Sequence, residues 1–320
     1  MTILNTQVVV GVDVAKAEIV IYRSDLKQID IVANERSALK KWLKKLPRHS
    51  AIGLEATGIY HVEMTELAHG MGHDVYIIDG SRVNKYRDSL GIRAKTDASD
   101  AQLLARYLAN ESDSLRIWSP PPEAYTQLKS LLLRRAQLIK WRVAMKQSWK
   151  AECGIDAAFD GFLAAVDDFE KEIRKTLKAL TEGAGLQEQV KRCQAVEGVG
   201  VLTGTAMATA FIRGDFVNSD AFVAFLGLDL RVRQSGQRDQ QRRLSKRGDP
   251  EWRRLLHNSS MAASRSETWK PFYESYLARG FKATQALVIL ARKLARVMFS
   301  LMKNKTDYSP NTWSGGCPRT

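Results

Sequence analysis

The stretch at residues 8–22 constrains the fold more than any other part of the chain. It begins with β-branched residues interrupted by Gly11, and such a run predicts a strand that is buried on both faces of a sheet. Asp13 lies within this strand, and a carboxylate without a partner is costly to bury. Asp13 must therefore either lie solvated at the end of the strand or have a cation or a group of donors beside it.

The residues that follow predict alternating strands and helices. The elements are strands at 18–22 and 27–32, a helix at 35–46 capped by Asn34, a strand at 51–54 ending at Glu55, a helix ending near Gly70, and a strand at 75–78. A meander of strands followed by alternating helix and strand favours an α/β sheet of the ribonuclease-H-like type.

The segment at residues 90–110 reads LGIRAKTDASDAQLLARYLAN and predicts a helix capped by Thr96. Asp97 and Asp100 would lie on one face of its first turn, where the helix dipole tolerates acidic side chains. Taken alone, this pattern is more typical of a well-capped helix with two solvated aspartates.

Combined with the strand residues, the same two aspartates suggest a site. In a ribonuclease-H-like sheet, four acids from distant parts of the sequence would converge on one edge. Carboxylates this close repel unless divalent cations neutralise them, and oxygen-only ligands suit magnesium, with manganese as an alternative. Two such ions roughly 4 Å apart can hold a scissile phosphate. Phosphodiester chemistry is therefore the leading hypothesis for the acidic quartet, which consists of Asp13, Glu55, Asp97 and Asp100.

Prolines at 120–122 mark a domain boundary, and a helical second part follows. Apolar residues recur at helical spacing over 123–180, which predicts two long helices that form a hairpin near residues 154–161. A solvated face explains the charges of the first helix almost as well as nucleic acid contact does. The basic residues of this helix are Arg134, Arg135, Lys140, Arg142, Lys146 and Lys150.

The C-terminal part combines turn signals with dense positive charge. The sequence VEGVG at 196–200 resembles a helix-hairpin-helix turn, in which glycines let backbone amides approach a phosphate. Pro250 predicts the first turn of a helix capped by Asp249, and a closing helix follows at 284–302 before a loose tail from residue 306. The segment 231–254 suggests a phosphate-tracking loop. Its candidates for nucleic acid binding are Arg231, Arg233, Arg238, Arg242, Arg243, Lys246 and Arg247.

A serine inside this basic segment offers a different kind of chemistry. Ser235 precedes Gly236, and neighbouring arginines or cations held by the quartet could polarise a phosphate for attack by its hydroxyl. A turn serine beside a glycine is the more common interpretation. Ser245 is a second candidate, and spacing alone does not separate the two.

The net charge indicates what kind of partner the protein binds, and the cysteines indicate the redox state of its thiols. The 320 residues include 49 Lys and Arg against 35 Asp and Glu, a net charge of +14 that favours a polyanionic partner. No apolar run reaches the length of a membrane span and no signal-peptide pattern precedes residue 30, so we expect a cytoplasmic protein without a membrane partner. Cys153, Cys193 and Cys317 are widely spaced, which predicts reduced thiols and no zinc site.

Ordered motifs over nearly the whole chain resemble those of the DEDD transposases of the insertion-sequence one-ten family. This family comprises bridge-RNA-guided recombinases and is similar to the Piv-type DNA invertases. One position departs from its pattern, since Trp252 stands where the family often has leucine. The matching motifs are GVDVAK at 11–16, IGLEATGIY at 52–60, KTDASDAQLLA at 95–105, VEGVG at 196–200, FLGLDLRVRQSG at 225–236 and LSKRGDPEWRRLL at 244–256.

The resemblance implies an architecture and a reaction. The architecture is a RuvC-like ribonuclease-H-like domain at 1–120, a helical coiled-coil connector at 121–190, a mainly helical C-terminal transposase domain at 191–305 and a flexible tail at 306–320. The acidic quartet would bind magnesium, and Ser235 in the SG pair would be the nucleophile that becomes joined to DNA.

The resemblance also implies the partners of the reaction. Each strand would be cut by serine attack, held as a phosphoserine ester and rejoined to the other duplex through a four-way junction. A structured bridge RNA would pair with donor and target DNA, while the protein grips backbones. The subunits would form a tetramer in the cytoplasm, associated with the bacterial nucleoid when bound to DNA, with the acids of one subunit facing the serine of another.

Two other functions are compatible with the same residues. The first is a metal-dependent nuclease or junction resolvase in which water attacks and Ser235 only contacts phosphate. The second is a binding module without catalysis, which would bind nucleic acid with a steep salt dependence. The complete acidic quartet argues against the second function, because a module that only binds has no use for negative charge facing phosphates.

Overall fold

The computed structural model describes residues 7–56, 58–92, 96–149, 154–231 and 243–310. This described part divides into two compact units, residues 1–120 and 121–320. No helix within the described ranges is long and apolar enough to cross a membrane.

The first unit contains a mixed sheet with helices on both faces. Its described strands are ordered β3-β2-β1-β4-β5; the first three pair antiparallel, and β1, β4 and β5 are parallel. This topology is compatible with a ribonuclease-H-like fold. The elements are β1 (Val9–Val14), β2 (Glu18–Arg23), β3 (Gln28–Ala33), α1 (Arg36–Leu43), β4 (Ala51–Glu55), α2 (Val62–Gly70), β5 (Asp74–Ile78), α3 (Gly80–Ser89) and α4 (Asp97–Glu111).

Alternation along β1 divides the core of this unit into two layers. Val10, Val12 and Val14 face the layer that contains buried residues of α1 and α2. Val9 belongs to the opposite layer, with buried residues of α3 and α4. Because side chains alternate along a strand, Asp13 projects to the same side as Val9. The predicted strand buried on both faces is confirmed.

The helix predicted at 35–46 is shorter in the structure. α1 spans Arg36–Leu43 and its N-cap position is Glu35 rather than Asn34. The Asn34 side-chain amide instead donates to the backbone carbonyls of Ala15 and Tyr60, 2.9 and 3.1 Å away. Asn34 therefore joins neighbouring loops, and a long-range contact takes the place of the predicted local cap.

The described residues of the second unit are helical apart from a short antiparallel pairing of β6 with β7. Trp252, the residue that departs from the family pattern, is 4% exposed within its core. The elements are α5 (Glu123–Ser148), α6 (Asp156–Gly183), α7 (Gln187–Gln194), α8 (Val201–Phe211), α9 (Ser219–Phe225), β6 (Leu230–Arg231), β7 (Arg243–Leu244), α10 (Pro250–Ala263), α11 (Lys270–Ala278) and α12 (Ala283–Asn304).

The hairpin of α5 and α6 corrects two expectations. The connection between the helices includes Gly154, as predicted, but Gly161 lies inside α6. Arg135 belongs to no exposed basic face, because it is 7% exposed and its Nη2 lies 2.5 Å from Glu170 Oε1. Arg142 also pairs across the hairpin, with Asp167 at 2.6 Å. These arginines therefore stabilise the hairpin, and Lys150 lies outside the described residues.

The turn between α7 and α8 packs against another helix. Gly198 has φ +86°, and a Cβ built there would lie 2.4 Å from the backbone nitrogen of Ala263 and 2.6 Å from the carbonyl oxygen of Ser259. Gly198 therefore lets the turn approach the backbone of α10, whereas no atom of the described residues lies within 4 Å of a Cβ built on Gly200. The approach of this turn to a phosphate stays a prediction.

Glu197, in the same turn, anchors the start of the predicted loose tail. Its carboxylate accepts hydrogen bonds from Tyr308 OH at 2.7 Å, Thr268 Oγ1 at 2.8 Å and Trp269 Nε1 at 3.1 Å. The expectation of a loose tail from residue 306 is therefore wrong at its beginning, and residues 311–320 lie outside the described ranges. Cys193 is a buried free thiol whose pKa burial raises to about 12, whereas Cys153 and Cys317 are not described.

Candidate active site

A close approach of α4 to the sheet organises this site. Gly11 and Gly53 are register partners on the parallel strands β1 and β4. A Cβ on Gly11 would lie 2.0 Å from the carbonyl oxygen of Ala101, and a Cβ on Gly53 would lie 3.3 Å from the Cβ of Leu108. The two glycines therefore leave the space in which α4 crosses the sheet.

The register of β1 with β4 determines where the two strand acids, Asp13 and Glu55, lie. Asp13 and Glu55 each stand two residues beyond their strand's glycine, and the pairing runs in parallel at least to Val12 with Leu54. Since side chains alternate, both acids project to the side of α4 at the carboxyl ends of neighbouring strands. The structure thus places these predicted residues at one edge of the sheet.

The helix acids are brought to the same edge by a capping box at the start of α4. Ser99 N donates to Thr96 Oγ1 at 3.2 Å, and Thr96 N donates to Ser99 Oγ at 2.9 Å. The predicted Thr96 cap is confirmed. Asp97 and Asp100 lie in the first turn of α4, one turn before the residues that pack over Gly11.

The pKa of Asp13 records the proximity of the four acids. Burial raises the pKa of Asp13 most, and the negative charges of Asp100, Asp97 and Glu55 raise it further. The backbone N–H of Val14 offsets part of this rise. The charge on Asp13 is therefore less favourable here than in water, chiefly because of burial and further because of the neighbouring acids.

Gly80, at the start of α3, makes room for one of these carboxylates. A Cβ on Gly80 would lie 2.0 Å from Glu55 Oε1 and 2.6 Å from its carboxyl carbon. The Glu55 side chain thus occupies a space that the Cβ of any other amino acid at position 80 would fill. Gly80 was not predicted from the sequence, and its only local signal was the turn-like pair Asp79-Gly80, in which Asp79 is the N-cap of α3.

Arg87 contacts another member of the quartet. Its Nη2 lies 2.6 Å from Asp100 Oδ1, and the two side chains are 11% and 16% exposed. Sequence reasoning missed this residue as well. The available signal was its spacing from Val83, since an i, i+4 pair on α3 places an arginine on the buried face of that helix.

The quartet satisfies the donor chemistry of a divalent cation site. Its groups are carboxylates, the ligands that magnesium and manganese prefer, and Gly80 provides a cradle for one of them. Within the described residues, no three acidic, histidine or cysteine side chains lie at ligand spacing around one point. The acids are close enough for their charges to raise the pKa of Asp13, because charge repulsion acts over several ångströms. They are further apart than ligands of one cation would be, because a metal–oxygen bond is about 2 Å long.

Of the two serine candidates for the nucleophile, the structure describes Ser245 but not Ser235. Ser235 and Arg233, Arg238 and Arg242 lie outside the described residues. Ser245 is 7% exposed, and its hydroxyl donates a short hydrogen bond to the Asp229 carboxylate. A buried serine engaged in this way is poorly placed to attack DNA, which weighs against Ser245 as the nucleophile.

The described basic candidates surround the short β6–β7 pairing. Arg231 and Arg243 are register partners across this ladder, and both are exposed. Like charges directly opposite each other are destabilising unless an anion lies between them. Lys246 and Arg247 follow in the exposed turn before α10. The arrangement suits contact with phosphates.

Comparison with known proteins identifies relatives over most of the chain. Residues 10–151 match the IS110-type DEDD family model, described as a transposase, and residues 190–274 match the model of the transposase IS116/IS110/IS902 family. The pilin gene-inverting protein of Moraxella bovis is 26% identical over 264 residues, which are 80% of each chain. A probable family 20 transposase of Pseudomonas aeruginosa is 26% identical over 94% of this chain and 98% of its own length. The transposase for insertion sequence element IS1111A of Coxiella burnetii is 29% identical over 45% of this chain and 39% of its own length.

Proposed function

This chain belongs to the IS110 family of transposases and is a DNA recombinase, and we propose that it exchanges strands between donor and target DNA at the acidic quartet. The observation that carries this proposal is the placement of Asp13 and Glu55 at the carboxyl ends of β1 and β4, on the face that α4 crosses with Asp97 and Asp100 in its first turn. Carboxylates clustered beside phosphates are unfavourable unless they hold cations, so the cluster supports metal-assisted phosphodiester chemistry.

In this proposal the quartet holds divalent cations, magnesium in the first place and manganese as an alternative. A bound cation would polarise the scissile phosphate and stabilise the charge that develops on it. Asp13 and Glu55 would contribute oxygens from the ends of β1 and β4, and Asp97 and Asp100 from the first turn of α4. The capping box at Thr96 would keep the two helix acids in position.

We assign the attack on DNA to Ser235. The hydroxyl oxygen forms a bond to phosphorus while a strand's phosphodiester bond breaks, and the hydroxyl proton ends on the DNA oxygen that leaves. The product is a phosphoserine ester, which a hydroxyl from the other duplex resolves by the reverse exchange. One ester bond replaces another at each step, so strand exchange through a four-way junction needs no external energy source.

A covalent adduct provides the test of this assignment. We expect denaturing gels to show a protein–DNA adduct with the wild-type chain, and Ser235→Ala to abolish it. Ser245→Ala is the matched control and should retain the adduct if it folds. An adduct that persists in Ser235→Ala would contradict the assignment. Cleavage in wild type without any adduct would favour a junction resolvase that uses water, for which the quartet alone suffices.

The basic residues supply the grip on nucleic acid in this proposal. Arg231, Arg243, Lys246 and Arg247 are exposed around the β6–β7 pairing, and Arg233, Arg238 and Arg242 are neighbours in sequence. Such contacts fix position on a backbone without reading sequence. We propose that a structured bridge RNA supplies the sequence recognition for both duplexes. Sequencing RNA that co-purifies with the protein should yield one structured species, and a preparation free of RNA would contradict this part.

The proposal extends to domains and assembly. The first unit would be a RuvC-like domain, residues 121–190 a coiled-coil connector and residues 191–305 the transposase domain. The assembly would be a tetramer in which the acidic quartet of one subunit acts with Ser235 of another. Mixing Asp13→Asn with Ser235→Ala chains should then restore activity, and inactivity of that mixture would contradict shared sites.

A further inference from the structure

Arg87 is a buried cation within reach of the acidic quartet. The residue is 9% exposed and lies on the buried face of α3 with Val83. A buried guanidinium needs a partner, because removing its charge from water costs several kcal/mol. The structure shows this partner to be Asp100, with 2.6 Å between Arg87 Nη2 and Asp100 Oδ1.

The ion pair holds one oxygen of Asp100 in particular. Within the described residues, the hydrogen bonds to this carboxylate end on Oδ1, from Arg87 Nη2 at 2.6 Å and from Ser99 Oγ at 3.4 Å. A carboxylate fixed by one oxygen keeps the lone pairs of its other oxygen for a cation. Asp97, in the same turn, is exposed, so Asp100 is the aspartate of this turn that a buried arginine holds in place.

Two other roles for Arg87 fit the structure less well. Burial prevents it from acting as a surface contact for DNA. Attachment of α3 to α4 has other contacts, since Tyr86 packs edge-on against Tyr107 at 5.1 Å and its hydroxyl accepts from Asn110 Nδ2 at 2.7 Å. The effect that is particular to the ion pair is its restraint of the Asp100 carboxylate, which the tyrosine contacts do not touch.

We propose that Arg87 is a positioning residue that orients the Asp100 carboxylate for a divalent cation, an inference that rests on the proposed metal role of the quartet. Two effects of its charge oppose each other. A cation near the site weakens attraction for another cation, whereas a fixed ligand loses less entropy on binding. We infer that orientation dominates, because outer contacts of this kind are worth about 10- to 100-fold in metal affinity.

Titration calorimetry of the full-length protein with Mn²⁺ tests this role without measuring activity. We expect Arg87→Met to raise the Kd for Mn²⁺ about 10- to 100-fold. Arg87→Lys should give a smaller loss, since lysine keeps the charge but not the planar fork. Added to Asp100→Asn, the Arg87→Met change should alter the Kd less than about twofold, because Arg87 would act through Asp100.

The matched control is Arg135→Met, which breaks a comparable buried ion pair with Glu170 in the second unit. It should lower stability and leave the Kd for Mn²⁺ unchanged. If Arg87→Met fails to fold, Arg87→Lys decides, and an unchanged Kd in that variant overturns the inference.

The outcomes separate this inference from the proposed function. A wild-type protein that binds no Mn²⁺, or an Asp100→Asn variant that binds as tightly as wild type, would contradict the proposed metal site itself. Normal wild-type binding, weakened by Asp100→Asn but unchanged or tightened by Arg87→Met, would overturn the role of Arg87 alone.

Discussion

Two partly buried carboxylates in this protein have pKa values displaced in opposite directions. Burial and the neighbouring acids raise the pKa of Asp13. Burial also acts to raise the pKa of Glu197, but hydrogen bonds from Tyr308, Thr268 and Trp269 outweigh it and hold the pKa below its usual range. Donors therefore lower the pKa of one partly buried acid and make it a structural anchor, whereas burial and neighbouring acids raise the pKa of the other.

Glu197→Gln should destabilise the protein near pH 7 and weaken its pH dependence in acid. Because the folded pKa is lowered, the ionised carboxylate stabilises the fold above its unfolded pKa of about 4.5, and that contribution disappears as pH falls through the folded value. Loss of charge-assisted hydrogen bonds should cost about 2 kcal/mol at pH 7. Urea unfolding at pH 7 and pH 3 measures both effects.

The control for this prediction is Glu188→Gln on α7, whose carboxylate is exposed and pairs with Lys191. It should change the unfolding free energy at pH 7 by less than about 0.5 kcal/mol. Equal stabilities of Glu197→Gln and wild type at pH 7 would contradict the anchoring role of Glu197.

Much of the residue-level site could be predicted from sequence, and the reason is local chemistry. The Thr96 cap and the acids at strand ends depend on neighbours in the chain, so their patterns are visible there. The Gly80 cradle and the Arg87–Asp100 pair depend on how α3 packs against its neighbours in space. The spacing of Arg87 from Val83 indicates a buried face of α3 but not the partner that Arg87 meets there, so neither contact could be predicted from the sequence.

At the scale of elements, the fit of α4 on the sheet determines where the quartet lies. The helix crosses β1 at Gly11, with no room for a Cβ against the carbonyl of Ala101. Any movement of α4 would carry Asp97 and Asp100 with it, because both belong to its first turn. The spacing between strand acids and helix acids is thus set by a contact of glycine with helix backbone.

Gly11→Ala should therefore both destabilise the protein and disturb metal binding. The added methyl group forces β1 or α4 to shift, which should cost about 3 kcal/mol. Thermal unfolding measures the loss of stability, and Mn²⁺ calorimetry measures the displacement of the helix acids.

Gly70→Ala is the matched control, because Gly70 lies in α2 with no atom within 4 Å of an added Cβ. It should leave stability within about 1 kcal/mol of wild type or raise it. A Gly11→Ala protein as stable as Gly70→Ala would contradict the close packing of α4 on β1.

Element ends were harder to predict than the elements themselves. The helix cap at Asp249 with Pro250 in the first turn is confirmed, because the cap and the proline act on adjacent residues. The predicted end of α1 was wrong, because α1 ends at Leu43. The hairpin predicted near residues 154–161 is confirmed at Gly154 and is wrong at Gly161, because α6 runs through Gly161. A single glycine costs a helix only about 1 kcal/mol, which the surrounding interactions of α6 outweigh.

At the scale of the whole molecule, a net charge of +14 favours a polyanionic partner. Arg231 and Arg243, which lie opposite each other in the β6–β7 pairing, expose part of this positive charge on the surface. A protein that contacts phosphates releases counterions when it binds, so its DNA affinity falls steeply with salt.

Replacing Arg231 and Arg243 together by glutamine should weaken binding to duplex DNA and flatten its salt dependence. Each lost phosphate contact reduces the slope of log K against log salt by about 0.9, so the slope should fall by about 2. Fluorescence anisotropy from low to moderate salt measures it. Lys40→Gln with Lys41→Gln removes the same charge from an exposed part of α1 and should leave the slope unchanged. Equal slopes for both double variants would contradict a specific role for the arginines.

The proposed function requires that four acids from the first unit form one cation site for phosphodiester chemistry. Anomalous diffraction at the manganese edge from crystals of the protein with DNA and Mn²⁺ tests it most directly. The account predicts anomalous peaks within about 2.5 Å of carboxylate oxygens of Asp13, Glu55, Asp97 and Asp100. Four carboxylates pointing apart in the DNA-bound complex, with no peak between them, would contradict it.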